Sequence, residues 1–230
     1  RKGKKFKLAN FSHGILSGNE YTYFSNGNLY SIVFYKEPVK GAVGNEEPSQ
    51  IVQVNDSTGK ELVINGNGVA AFFDDSLKVV TDWGTVKDGL KDGKWEGTSS
   101  GGKLTYTEHY TNGKMISGES IDDVGTKYQY TKRFENPEFK GSMDRFYSYL
   151  KRKVIYPASC AKAGITGKVM LRFVVERDGT ISDIVVTNMV HPDLAKEAVR
   201  VMRESPKWSP GKWNGKPARV SFNLPVSFNL

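Results

Sequence analysis

Gly97-Thr98-Ser99-Ser100-Gly101 has the G-x-S-x-G spacing of a nucleophile elbow. In such an elbow a serine on a tight strand-to-helix turn attacks an acyl carbon, which requires an apolar strand before the turn and a helix after it. Here a charged turn precedes the motif and a strand-like stretch, Leu104 to Tyr110, follows it, so a hydrolase is the weakest reading. Gly66-Asn67-Gly68-Val69-Ala70-Ala71 has the G-x-G-x-x-A spacing that seats a dinucleotide pyrophosphate at a helix start. Asp74-Asp75 and a turn expected over Thr81 to Gly84 come too soon for a crossover helix, so the segment reads as a hairpin turn. Asp74, Asp75, Asp122 and Asp123 read as exposed turn acids rather than a cation site. One cysteine, Cys160, and three distant histidines (His13, His109, His191) offer no metal-ligand spacing. No catalytic residue, no metal and no cofactor is therefore expected.

If the chain does chemistry by binding, two questions precede it: how much core it can bury and where its charge lies. At 230 residues and 38% hydrophobic content, it has room for one large or two small packed domains. No apolar run approaches the roughly 18 residues of a membrane helix. The start at Arg1 has no apolar leader, so any signal peptide or anchor is expected to lie outside this chain. Arg1 to Lys7 hold five basic residues and read as a flexible start. The lone Cys160 excludes an internal disulfide but does not fix the compartment. The net charge of +8 belongs to the C-terminal part: residues 137–230 hold 16 Lys+Arg against 8 Asp+Glu. A solvated basic surface explains this, as does attraction to an acidic peptide, a cell-wall polymer or an anionic membrane surface. Nucleic acid is not expected as a partner, because the basic residues are scattered and lack an accompanying recognition motif.

Residues 20–133 read as short strands and turns. Asn26-Gly27, Asn65-Gly66 and Asn112-Gly113 each stand between alternating apolar residues, which favours type I′ hairpins. Gly93-Lys94 recurs as Gly113-Lys114, Gly97 as Gly118, and Gly102 as Gly125. A period of about twenty residues implies stacked hairpins that cannot bury a face alone. The phrases Tyr21 to Leu29, Asp92 to Gly97 and Tyr106 to Lys114 resemble the looser bacterial MORN-type repeats, though Glu37 to Gln50 breaks the rhythm. That resemblance implies a scaffold or interaction surface and no chemistry.

The texture changes near Asn136-Pro137, and the boundary is placed between about 134 and 142, giving domains 1–136 and 137–230. Ser142 caps an expected helix with Met143, Phe146, Tyr147 and Leu150 on its apolar face. Pro157 stops regular structure, and a short turn covers Ala158 to Ala163. Gly167 to Glu176 and Thr180 to Asn188 make a hairpin around Asp178-Gly179. A second helix from Pro192 turns Leu194, Ala198, Val201 and Met202 inward, and Ala218 to Phe228 closes the chain as a strand. The fold class is α+β: an all-β antiparallel repeat sheet, then a small domain with a three-stranded antiparallel sheet and two helices.

The second segment carries Tyr149-Leu150, Ile155-Tyr156-Pro157, Gly164-Ile165-x-Gly167, Asp178-Gly179, His191-Pro192-x-Leu194, Pro206-x-Trp208-x-Pro210-Gly211 and Pro225-x-x-Phe228 in order. With these anchors it resembles the C-terminal domain of TonB-type energy transducers. The resemblance implies a periplasmic domain of a Gram-negative cell envelope. Its partner would be the N-terminal box peptide of a TonB-dependent outer-membrane transporter, added as a strand beside the last strand. It leaves open inner-membrane motor proteins or cell wall as further partners, a homodimer through edge strands, and an anchor outside this chain.

The last strand agrees physically. A proline within a strand is tolerated at an edge, so Pro225 marks one. If Pro225 faces the open side, the backbones of Ser221 and Asn223 do too, with Arg219 beyond them. The expected peptide-binding residues are Arg219, Val220, Ser221, Phe222, Asn223 and Leu224, with Ile155, Tyr156 and Pro157 placed nearby by the resemblance. Trp208 and Trp213 read as core or lid residues. Neither a membrane helix nor a proline-rich spacer is seen, which separates the reading of peptide binding from that of energy transduction. An envelope adaptor that uses the repeat sheet is the competing reading.

Overall fold

The computed structural model describes residues 6–36, 49–74, 79–99, 101–188 and 190–229. Residues 1–5 of the basic start, residues 37–48 of the segment that breaks the repeat, Asp75 and Ser100 lie outside the described residues. Chain contacts divide the protein into two units, Arg1–Lys132 and Arg133–Leu230. Among the described residues no helix is long and apolar enough to cross a membrane.

Among the described residues the first unit holds an antiparallel sheet of eleven strands and a separate two-stranded ribbon of Phe11–Ser12 and Ile15–Leu16. From Gly18–Tyr23 to Lys127–Tyr130 each main strand pairs with the next in the chain, and Phe6–Leu8 adds beside Gly18–Tyr23. Asn65-Gly66 and Asn112-Gly113 form the expected left-handed pairs, with φ of 49° and 76°, and 48° and 77°. Asn26-Gly27 departs from this expectation, because only Gly27 has positive φ. There the Asn26 side chain accepts from the Asn28 N–H and donates to the Ser57 carbonyl, which ties the loop to the next hairpin.

The turn expected over Thr81 to Gly84 is instead part of a strand, Val80–Lys87. Gly84 has a packing role: it pairs with Trp95, and a Cβ built there would lie 2.5 Å from the indole. The same arrangement recurs where Gly97 faces Tyr106 and Gly118 faces Tyr130. At these three pairings a ring lies against a glycine on the adjoining strand, which is why glycine repeats at Gly97 and Gly118. Trp95 is fully buried and donates its indole N–H to the Thr85 carbonyl at 2.9 Å. Gly97 ends in a strand–turn–strand context, with Ser99 N–H donating to the Leu104 carbonyl.

The second unit is a three-stranded antiparallel sheet in the spatial order Ile181–Val186, Gly167–Val175, Val220–Phe228. Helix α1 (Met143–Lys153) starts at Ser142, whose Oγ accepts from the Arg145 N–H at 3.3 Å. Its last turn carries Lys151, Arg152 and Lys153, where cations oppose the helix dipole. Its buried residues are Phe146, Tyr149 and Leu150, whereas Tyr147, expected on the apolar face, is half exposed. The stripe is set by Tyr149, whose hydroxyl donates to the Val201 carbonyl at 3.0 Å. Tyr147 lies one residue, about 100°, off Phe146 and so falls on the flank.

The turn expected over Ala158 to Ala163 is a short helix, α2 (Ala158–Lys162), so this unit has three helices where two were expected. Helix α3 (Pro192–Arg203) buries Leu194, Ala198, Val201 and Met202. These pack with Val169, Leu171, Phe173, Val175, Leu224, Val226 and Phe228 from the sheet in one apolar core. Trp208 joins that core, but Trp213 stays exposed, in a small ribbon of Phe134–Glu135, Lys212–Trp213 and Lys216–Pro217. Among the described residues the ring neighbour of Trp213 is Phe134, at 6.0 Å.

Candidate functional site

The last strand, Val220–Phe228, pairs on one side with Gly167–Val175 over its whole length and forms one edge of the three-stranded sheet. Its side chains alternate: Leu224, Val226 and Phe228 are buried, whereas Ser221, Asn223 and Ser227 are exposed. The backbone direction follows from its partner. The Met170 carbonyl accepts from the Thr187 N–H at 2.8 Å, and the Met170 N–H donates to Asn188 Oδ1 at 2.8 Å. Both polar groups of Met170 thus face away from the last strand. Pro225, opposite Met170, then occupies a non-hydrogen-bonded pair and turns its backbone outward. Ser221, Asn223 and Ser227 share that direction by the two-residue period. The edge therefore presents N–H and C=O groups at Ser221, Asn223 and Ser227 and a carbonyl at Pro225.

Beside the second half of this edge runs a groove of about 670 Å³. Tyr147, Leu150 and Lys151 of α1, then Val154 and Tyr156, form one wall, and Lys168 and Pro225 to Asn229 form the other. The Tyr156 ring meets Phe228 edge-on at 5.9 Å, and its hydroxyl donates to the Ile165 carbonyl at 2.7 Å. The segment before it is clamped to α3. Arg200 Nη2 donates to the Lys153 carbonyl at 2.8 Å, and the Ile155 N–H donates to Glu197 Oε1 at 2.6 Å. Arg200 also pairs with Glu197 and Glu204. The hydrogen bond from Arg200, joined by that of the Ile155 N–H, holds the Glu197 carboxyl below its usual range.

The expected site residues thus fall into two groups at opposite ends of the strand. Ile155, Tyr156 and Pro157 lie near Phe228, with Ile155 68% exposed and Pro157 capping α2. Arg219 precedes Val220 at the other end, where its guanidinium donates to Glu176 at 2.9 Å and to Asp183. Val220 and Phe222 are half buried and Leu224 is buried, so these three support the strand while Ser221 and Asn223 offer backbone. Sequence reasoning missed Tyr147, Lys151, Lys168 and Ser227 as groove residues. Tyr147 could have been found from its position just off the Phe146 stripe.

A second cluster stands apart from the edge. Cys160 of α2 meets His191 and Asp193 at the start of α3, and sequence spacing gave no sign of it. The hydrogen bond from Ser159 keeps the Asp193 carboxyl below its usual range, with His191 and Lys196 adding to this.

Residues 152–230 match the family model for the Gram-negative bacterial TonB protein C-terminal domain. No curated protein and no solved structure matches the chain.

Proposed function

With residues 152–230 belonging to the Gram-negative bacterial TonB C-terminal family, we propose that this chain binds an extended peptide of an outer-membrane transporter on the Gram-negative periplasmic side. The peptide adds as a strand beside Val220–Phe228. The observation that supports this reading is the open edge itself, with its outward amides at Ser221, Asn223 and Ser227 and a groove beside it. Main-chain bonds give a strand-adding peptide its affinity, and pockets for alternate side chains give it selectivity. Pro225 withholds one donor, so pairing runs in two stretches, around Ser221–Asn223 and around Ser227. The apolar wall of Leu150, Val154 and Tyr156 suits an apolar peptide side chain, and Lys151 and Lys168 suit an acidic one. In this reading the chain is a binding protein and not an enzyme.

A proline at Asn223 separates binding from folding. The Asn223 N–H points outward, so Asn223→Pro removes a donor from the edge and none from the sheet. By calorimetry with a transporter N-terminal peptide, Asn223→Pro is expected to lose measurable binding while retaining the far-ultraviolet circular dichroism of the parent. Leu224→Pro, which faces the central strand, is expected to lose at least about 2 kcal/mol of stability. Unchanged affinity in Asn223→Pro would overturn the proposal.

A second reading concerns the first unit. The sheet face opposite Val63, Ala70 and Gly84 exposes Ile64, Val69 and Trp83. Exposed apolar side chains on one face of a sheet suit an adaptor that docks a protein partner. Peptide binding that maps to residues 20–130 and spares the last strand would favour it.

A further inference from the structure

We propose that Cys160, His191 and Asp193 form a site for a borderline-soft divalent cation, for which zinc is the best match. Cys160 Sγ lies 3.2 Å from His191 Nδ1, and Asp193 Oδ2 lies 3.9 Å from the same nitrogen. All three ligand atoms fall within 4.8 Å of one another. A thiolate, an imidazole and a carboxylate together select zinc over magnesium or calcium, which prefer oxygen alone. Tetrahedral zinc, with bonds of about 2.3 Å to sulfur and 2.0 Å to nitrogen, needs a sulfur–nitrogen separation near 3.5 Å and a nitrogen–oxygen separation near 3.3 Å. From 3.2 and 3.9 Å the first edge must open by about 0.3 Å and the second close by about 0.6 Å, and the sulfur–oxygen edge, within 4.8 Å, must come to about 3.5 Å as well.

The three ligand atoms are gathered before any metal binds. His191 Nδ1 accepts the Asp193 N–H as the cap of α3 at 3.3 Å, so its single lone pair must turn from that N–H to the metal, and binding gives up the cap bond. On binding, the Cys160 S–H bond breaks, a metal–sulfur bond forms, and the proton leaves to solvent. Ser159 Oγ donates to Asp193 Oδ2 at 2.5 Å and orients the carboxylate from outside the ligand set. Cys160 is fully buried, whereas His191 and Asp193 are about one-third exposed, so the cation is closed on the protein side and open to one water on the other. Three protein ligands plus a water are an established zinc coordination. Bound there, the cation fastens α2, which begins just after Ile155-Tyr156-Pro157, to the first turn of α3.

The test uses the whole chain, stripped with a chelator and titrated with cobalt(II) as a spectroscopic substitute. A thiolate-to-cobalt charge-transfer band is expected that saturates at one cobalt per chain and disappears when zinc is added. Cys160→Ala should abolish the band, and Ser159→Ala should weaken zinc binding by about 10- to 100-fold. If Cys160→Ala does not fold, Asp193→Asn at the surface gives the same reading: a loss of affinity of at least 10-fold supports the site, and unchanged affinity overturns it. The absence of a charge-transfer band at saturating cobalt, or its survival in a folded Cys160→Ala, also overturns it.

Discussion

Both units bury large aromatic rings, but they cover them by different means. In the second unit, Phe139, Phe146, Phe173, Trp208 and Phe222 pack ring on ring, with centroids 5.3 to 5.9 Å apart, between helices and a sheet. In the first unit, Trp95, Tyr106 and Tyr130 each lie against a glycine of the adjoining strand, within a sheet that has no helix among its described residues. Its rings also serve as polar bridges. Tyr130 spans Gly118 to donate to the fully buried Glu108 at 2.8 Å, and Tyr110 donates to the same carboxylate at 2.9 Å. A helix-covered core gains from volume filled by apolar side chains. A sheet whose strands supply their own cover gains from backbone room and from polar groups satisfied within one face. Volume lost should therefore hurt the second unit most, and volume added should hurt the first.

Phe173→Ala tests the first half of that contrast and carries the largest expected effect. Phe173 is fully buried and meets Trp208 at 5.4 Å and Phe222 at 5.9 Å. Its truncation should cost about 3–5 kcal/mol. Hydrogen exchange read by mass spectrometry on the whole chain should show the loss confined to residues 133–230, and equal loss in residues 6–132 would break the contrast.

Gly84→Ala tests the other half. The added carbon would meet the Trp95 indole at 2.5 Å, so the ring or the strand must shift. The expected loss is about 1–3 kcal/mol, confined to the first unit. The penalty should shrink in a Trp95→Leu background, where the ring is gone, and an unchanged penalty would mean that Gly84 is needed for its backbone rather than for room.

These contrasts explain how much of the molecule was legible in its sequence. The two longer helices and the three sheet strands of the second unit could be read, because Val169, Leu171, Phe173 and Val175 alternate and Leu194, Ala198 and Val201 recur at helical spacing; the short helix Ala158–Lys162 was not. The recurrence of Gly97 as Gly118 could be read too, but not its cause, since the ring over each glycine comes from another strand. Gly84 was misassigned to a turn for that reason: a glycine signals backbone freedom and close approach alike. At the edge, Ser221 and Asn223 followed from Pro225 by the period of a strand. Tyr147 and Lys168 did not, because the groove is made by a helix and a strand whose relative placement no local pattern encodes. The meeting of Cys160 with His191, 31 residues apart, is tertiary in the same way.

The smallest expected effect concerns charge. In the second unit Glu176, Asp178, Asp193 and Glu197 all have carboxyl pKa values lowered, chiefly by side-chain hydrogen bonds from Ser182, Lys207, Ser159 and Arg200. In the first unit Asp56 is lowered, chiefly by its bond from Thr58. A carboxylate whose folded pKa is depressed stabilises the fold above its unfolded value, near 4, and loses that contribution as pH falls through the folded value. Acidification below about pH 4 should therefore weaken the second unit in more places than the first. Glu197 is the informative position, because it joins Arg200 to the Ile155 amide beside the groove. Glu197→Gln should cost about 0.5–1 kcal/mol at neutral pH and less in acid, where the parent carboxylate is itself protonated. Hydrogen exchange of residues 153–157 between pH 3 and pH 7, corrected for the intrinsic rate, should show the parent and the variant converging at the acid end. Curves that stay parallel would mean that the Glu197 side chain holds this segment by shape rather than by charge.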